Sequence, residues 1–206
     1  MMMILLLTAV EFLCGSLMFS YWLGRAAHKD LKAVGDGNPG AFNLWSAAGY
    51  KLGLAGVALD FLKGYLPLVW IAGSGTVHGY GMVAVAAAPV AGHAFSPFLK
   101  FKGGKAIAVT FGVWSALTRF EVSLALAVIL ALLLIASKLM SRRPLSTEAS
   151  GFQVVAGFML VSVYLIARGF PGPYLCIWLV NLLILVYTNK RKLEVFLKRY
   201  SGRRGG

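Results

Sequence analysis

Seven apolar runs divide this chain, at about residues 4–23, 53–72, 78–97, 105–118, 122–138, 152–167 and 173–188. In lipid a backbone has no hydrogen-bond partner but itself, so runs of this length fold as helices that cross the bilayer. Crossing a ~30 Å hydrocarbon core takes about 20 residues. The fourth run falls short of that and reads as a broken or re-entrant segment. Charge placement supports the count. With the N-terminus outside, all 20 Lys and Arg residues except Arg119, Arg168 and Lys63 fall on inner loops or the C-terminal tail, as the positive-inside rule requires. One helix more or fewer would scatter that pattern. The predicted fold is an all-α integral membrane bundle of seven transmembrane helices, N-terminus out and C-terminus in. It forms a single domain over residues 1–206 with a basic cytoplasmic tail at 189–206.

Composition narrows the function classes. Only 13% of residues are charged and 59% are hydrophobic, against about 25% charged in soluble domains. The net charge of +13 would also suit nucleic acid, but a basic face beside a membrane is drawn to anionic headgroups instead. No nucleic-acid partner is expected, and the tail reads as a topology anchor. Cys14 and Cys176 lie inside apolar runs, as small core residues rather than a disulfide or a metal pair. The first run lacks a basic leader and carries Glu11, so it reads as a span and not as a cleaved signal.

Polar residues at membrane depth mark the places to look. Asp60 and Lys63, in "GVALDFLKGYLP", are spaced i,i+3 and share a helix face. Ionisable groups inside a span are costly unless paired or wet, so the two form either a structural ion pair or part of a site. Gly64 and Pro67 follow, fitting a close helix approach or a kink. Glu11 faces a cavity or the outer interface, and Asn181 reads as interhelical glue.

Two glycine-rich stretches belong to the same predicted face. "KFKGGKAIAVTFG" sets Lys100, Lys102 and Lys105 around Gly103 and Gly104, at the start of an apolar run. Such a turn frees backbone N–H groups to converge on an anion, at a helix N-terminus where the macrodipole adds to the attraction. The plainer reading is a basic loop between spans. "DLKAVGDGNPGAFNLWSAAGYKLG" holds Gly35, Gly37, Asn38, Gly40 and Asn43, another segment able to expose backbone donors.

In order and spacing these stretches resemble the bacterial acyl-phosphate:glycerol-3-phosphate acyltransferases, the PlsY family. That family's first motif, approximately D-I-R-x-x-G-S-G-N-x-G-A-T-N-x-x-R, is matched from Asp30 to Ser46. Its second, D-x-x-K-G, is matched from Asp60 to Gly64, and its third, approximately G-H-x-F-P-x-F-x-x-F-K-G-G-K-G-x-A-T, from Gly92 to Val109. The resemblance implies seven spans in a bacterial inner membrane, with an active site built from cytoplasmic loops. It implies acyl transfer from acyl phosphate to the 1-hydroxyl of glycerol 3-phosphate, giving lysophosphatidic acid for phospholipid synthesis, with no metal, CoA or other cofactor. The residues it implies for substrate and phosphate binding are Gly35, Gly37, Asn38, Gly40, Asn43, Lys63, Gly64, Lys102, Gly103, Gly104, Lys105 and Ser146. Lys105 and His93 are its candidate catalytic groups, and Asp60 with Lys63 its structural ion pair.

The chain departs from the pattern at several positions. Asp36 stands for a serine, Phe42 for a threonine and Ser46 for an arginine; Ser96 replaces a proline and Ala106 a glycine. In the segment after the last span, where the family reads approximately H-R-x-N-I-x-R, this chain has Asn189 for the histidine and Lys192 for the asparagine. A carboxylate beside a phosphate repels it, by about 4 kcal/mol for unit charges ~4 Å apart at an effective dielectric of ~20. Three readings therefore stand: an enzyme that tolerates the changes, one with the same donor and a different small acceptor, and a silent lipid-binding paralogue. A small transporter is a fourth class, disfavoured because the charges cluster at one face rather than at the midplane.

Overall fold

A computed structural model describes residues 1–140 and 147–201. Nine α-helices follow one another among these residues: α1 (Met2–Ser16), α2 (Phe19–Ala26), α3 (Ala41–Ala48), α4 (Tyr50–Ser74), α5 (Gly81–Ala94), α6 (Ile107–Thr118), α7 (Glu121–Met140), α8 (Thr147–Ala167) and α9 (Gly172–Ser201). Six helical stretches are long and apolar enough to cross a membrane: Met2–Ala26, Tyr50–Ser74, Gly81–Leu99, Glu121–Met140, Ser150–Ala167 and Gly172–Lys198. The expected fourth segment is α6, only 12 residues long. On α7, Leu124, Val128, Leu132 and Ile135 point outward, as side chains that meet lipid do.

The first span is not one rod. Leu17 leaves the helix at ψ 123°, and no proline or glycine sits at that residue to explain it. The break frees two carbonyls that a continuous helix would have bonded. Ser96 Oγ donates to Ser16 O at 2.7 Å, and Lys63 Nζ donates to Leu17 O. Ser96, where the family pattern has proline, is fully buried and holds this kink.

Two backbone crossings set the frame. Gly92 of α5 lies against the backbone of α1 at Phe12 and Ser16, and Gly15 of α1 lies against Pro89, so no side chain separates the helices there. Gly64 of α4 meets Val109 of α6, where an added Cβ would lie 2.6 Å from Val109 Cγ2 and 2.8 Å from its carbonyl oxygen. The core beyond them packs Trp114, Phe158, Leu165, Ile177 and Leu185, all fully or almost fully buried. Asn181 joins α9 to α6 as predicted. Its Oδ1 accepts from Trp114 Nε1 at 3.1 Å and its Nδ2 donates to Thr110 Oγ1 at 3.1 Å. Glu11 is fully buried rather than at an interface and lines neither of the described cavities, and neither carboxylate oxygen has a protein partner among the described residues.

Candidate functional site

One cavity of about 1040 Å³ opens between the first loop, α4, α6, α8 and α9. Its polar wall includes Asp36, Asn38, Asn43, His93, Lys105, Asn189 and Lys192. Its apolar wall comes mainly from Leu54, Val57 and Phe61 on α4 and Ile107 and Phe111 on α6. Positions 54, 57 and 61 follow the i, i+3, i+7 spacing of one helix face.

Asn43 organises the first loop. From the first turns of α3, 2% exposed, its Nδ2 donates to Val34 O at 2.7 Å, Asn38 O at 2.9 Å and Asp36 Oδ1 at 3.3 Å. Gly35 and Gly37 take positive φ, 57° and 71°, to close the turn around it. They shape the loop and do not line the cavity, whereas Asn38 and Gly40 do.

The Gly-Gly turn works differently from the expectation. Gly103 N–H donates to Ala94 O at 3.1 Å and Gly104 N–H to His93 O at 3.0 Å. These donors are spent on the carbonyls that α5 leaves unpaired at its C-terminus, so they are not free to hold a phosphate. Gly104 also makes room for the His93 ring, whose Nε2 edge lies where a Cβ would stand. Among the described residues beside the cavity, the backbone donors left free by the helix are those of the first turn of α6, where Thr110 N–H makes the first bond, to Ala106 O. Ile107 and Ala108 line the cavity there. Lys102 is exposed and outside the lining, Gly64 packs against Val109, and Ser146 lies outside the described residues.

Beneath the cavity runs a buried chain of polar groups. Ser20 Oγ donates to Asp60 Oδ2 at 2.6 Å. Lys63 Nζ pairs with Asp60 Oδ1 at 2.8 Å and meets His93 Nδ1 at 2.7 Å. With Leu17 O as the third acceptor, each of the three ammonium protons has a partner. An ammonium only donates, so His93 accepts at Nδ1 and carries its proton on Nε2. His93 therefore presents a donor to the cavity.

Asp36 is the largest correction. Its Oδ2 bridges two cations, Lys105 and Lys192, the latter at 2.8 Å. Burial would raise the Asp36 carboxyl, but the hydrogen bonds from Lys105 and Lys192 override it and hold it well below the usual carboxylate range. The carboxylate is thus neutralised rather than left to repel an anion. Burial, with Lys192 beside it, lowers the Lys105 ammonium to about 8, and Asp36 opposes part of that fall. Ser46, in the place of the family's arginine, is exposed and donates to Phe42 O of its own helix at 3.1 Å. Lys192, which the sequence marks only as a departure from the family pattern, is a site residue in the fold. Its signal was a new cation in the tail set against a new anion in the first loop.

A family model described as glycerol-3-phosphate acyltransferase matches residues 5–199. Glycerol-3-phosphate acyltransferase 1 of Thermotoga maritima is 38% identical over 196 residues, which cover 93% of this chain and 97% of that protein. A glycerol-3-phosphate acyltransferase of Endomicrobium trichonymphae is 33% identical over 202 residues, 97% of this chain and 100% of that one. A crystal structure of PlsY (YgiH), an integral membrane glycerol 3-phosphate acyltransferase in its glycerol 3-phosphate form, aligns with a TM-score of 0.80 at 27% identity. The match covers 95% of this chain and 92% of that one. Its lysophosphatidic acid form aligns equally well, at 26% identity.

Proposed function

This chain belongs to the glycerol-3-phosphate acyltransferase family and has its all-helical integral-membrane fold, and on that premise we propose that it transfers a fatty acyl group from an acyl phosphate to glycerol 3-phosphate. The observation that carries the reading is one cavity whose cationic wall continues into an apolar trough between α4 and α6. An acyl phosphate has that same division, a phosphate on an alkyl chain. In this reading the bundle crosses a bacterial inner membrane seven times as one domain, α6 being the short crossing, with the N-terminus outside and the cavity on the cytoplasmic side. The placement of Lys and Arg and the meeting of Asp36, Lys105 and Lys192 from three separate segments support it.

The chemistry follows from the cavity wall. The alkyl chain lies along Leu54, Val57, Phe61 and Phe111, and the phosphate faces Lys105 and the N-terminus of α6. The 1-hydroxyl of glycerol 3-phosphate attacks the acyl carbon. A C–O bond forms there as the bond from that carbon to the phosphate oxygen breaks, and the hydroxyl proton leaves with the phosphate. Products are lysophosphatidic acid and inorganic phosphate. Phosphate is already a good leaving group, so no protein nucleophile is needed; orientation and fixed donors supply the rate. His93, with its proton on Nε2, donates to the oxygen that gains charge, and does not act as a base through that nitrogen.

The direct test supplies palmitoyl phosphate and glycerol 3-phosphate to the purified protein and follows lysophosphatidate and phosphate together. Both products in equal amounts are expected. Phosphate without lysophosphatidate would move the acceptor to another molecule, and neither product would end the enzymatic reading.

A pH dependence accompanies it. Because the Lys105 ammonium lies at about 8, it is neutral above that pH and loses its grip on phosphate. The expected kcat/KM profile falls on the alkaline side with a midpoint near 8. Asp36→Ser removes a group that props the ammonium up, so the midpoint moves to lower pH. A profile flat to pH 9.5 or so would rule out a required Lys105 cation.

A further inference from the structure

Asp36, Asn189 and Lys192 are all departures from the family pattern, and the fold brings them to one wall of the cavity. Lys192 comes from α9, close to the far end of the described chain, and its side chain is 14% exposed. Its route is cleared by Gly151 of α8, where a Cβ would lie 2.8 Å from Lys192 Cδ. Its ammonium ends 2.8 Å from the Asp36 oxygen that also meets Lys105. One carboxylate oxygen between two ammoniums is the arrangement a phosphate oxygen takes between two lysines. The set is incompletely neutralised, with two positive charges on one negative. Beside it Asn189 Oδ1 is buried with no partner among the described residues, while Asn189 Nδ2 is occupied by Leu185 O at 2.9 Å.

We propose that this is a phosphate-exchange site: the Asp36 carboxylate is the resting anion of Lys105 and Lys192, and the phosphate dianion of a substrate takes its place between them. Lys192 is then a phosphate ligand of this chain, and Asp36 is its positioning residue. A dianion neutralises both ammoniums, which the carboxylate alone cannot do, so the site selects a phosphomonoester or acyl phosphate over a phosphodiester. The unpartnered Asn189 Oδ1 accepts a hydroxyl from whatever is bound, which a glycerol carbon carries and an alkyl chain does not. The assignment rests on the acyl-transfer reading for its substrates, but not for its binding test.

The exchange makes a prediction that a mere structural bridge does not. Lys192→Asn leaves Asp36 under-neutralised beside the phosphate, so it raises KM for a phosphate substrate about tenfold with kcat little changed. Asp36→Ser on that background removes the repelling charge and brings KM back to within about threefold of the wild type. Each substrate is varied in turn. A rise for glycerol 3-phosphate alone assigns the acceptor's phosphate, and a rise for palmitoyl phosphate alone assigns the donor's. Unchanged KM for both in Lys192→Asn, or two changes that simply add, would overturn the proposal, above all if only the melting temperature moved. Calorimetric binding of glycerol 3-phosphate to the same three proteins needs no turnover. If the wild type makes no lysophosphatidate yet shows the tenfold loss and its rescue in binding, the site stands and the acyl-transfer reading falls. If the wild type binds neither glycerol 3-phosphate nor inorganic phosphate, both fall.

Discussion

Lys105→Ala lowers lysophosphatidate formation by about a thousandfold and leaves the melting temperature almost unmoved. Both halves follow from where the side chain sits. Lys105 stands just before the free N-terminal donors of α6, so it meets the phosphate that leaves and the charge that develops as it goes. Removing one fixed donor of that kind costs about 10²–10³ in rate, and a cation facing a departing dianion belongs at the upper end. Stability is spared because Asp36 keeps Lys192 at 2.8 Å, so no charge is left unpaired. The side chain is also partly open to water, at 17% exposed. Lys105→Arg restores only part of the rate, since a planar fork cannot place its charge where a single ammonium sat. Measuring both rate and melting separates this outcome from misfolding. A Lys105→Ala protein that folds and retains a tenth or more of the rate would take the phosphate away from Lys105.

The difference between what was legible and what was not lies in the distance between partners. Apolar runs and charge placement are local, and they located the six long helices to within a few residues, except at the C-terminal end of α9, which continues to Ser201 through a stretch read from the sequence as a basic tail after residue 188. The kink at Leu17 is invisible in the sequence because its cause lies elsewhere: the freed carbonyls are taken by Lys63, from the middle of α4, and Ser96, from the turn that follows α5. Asp60 and Lys63 were legible because i,i+3 spacing is a helix property, while the third member, His93, comes from α5 and could not be joined to them by spacing. The glycines of the lysine loop were correctly placed and wrongly employed. Sequence shows that Gly103 and Gly104 can expose their N–H groups, and only the fold shows that α5 uses them first. Asp36 read alone is a repulsive charge; with Lys105 and Lys192 it is the centre of a cationic site.

Lys63→Met has the opposite signature to Lys105→Ala, with the fold failing before the chemistry. Lys63 is 5% exposed and Asp60 2%, and all three ammonium protons are engaged. Deleting the lysine leaves the Asp60 carboxylate with Ser20 alone, Leu17 O without its donor at the helix break, and His93 Nδ1 without a proton to accept. Breaking a buried pair from one side costs about 3–5 kcal/mol, a fall in melting temperature on the order of 10 °C for a chain of this size. Asp60→Leu added to Lys63→Met removes the stranded charge, so most of that loss returns. The rate does not return with it. With Lys63 gone nothing fixes the His93 tautomer, and its proton is free to sit on Nδ1, facing away from the cavity. Thermal melting in detergent and lysophosphatidate formation, measured on the single and double variants, therefore diverge. A double variant that regains fold and rate together would show that Lys63 only holds the helices, and that His93 needs no orienting partner.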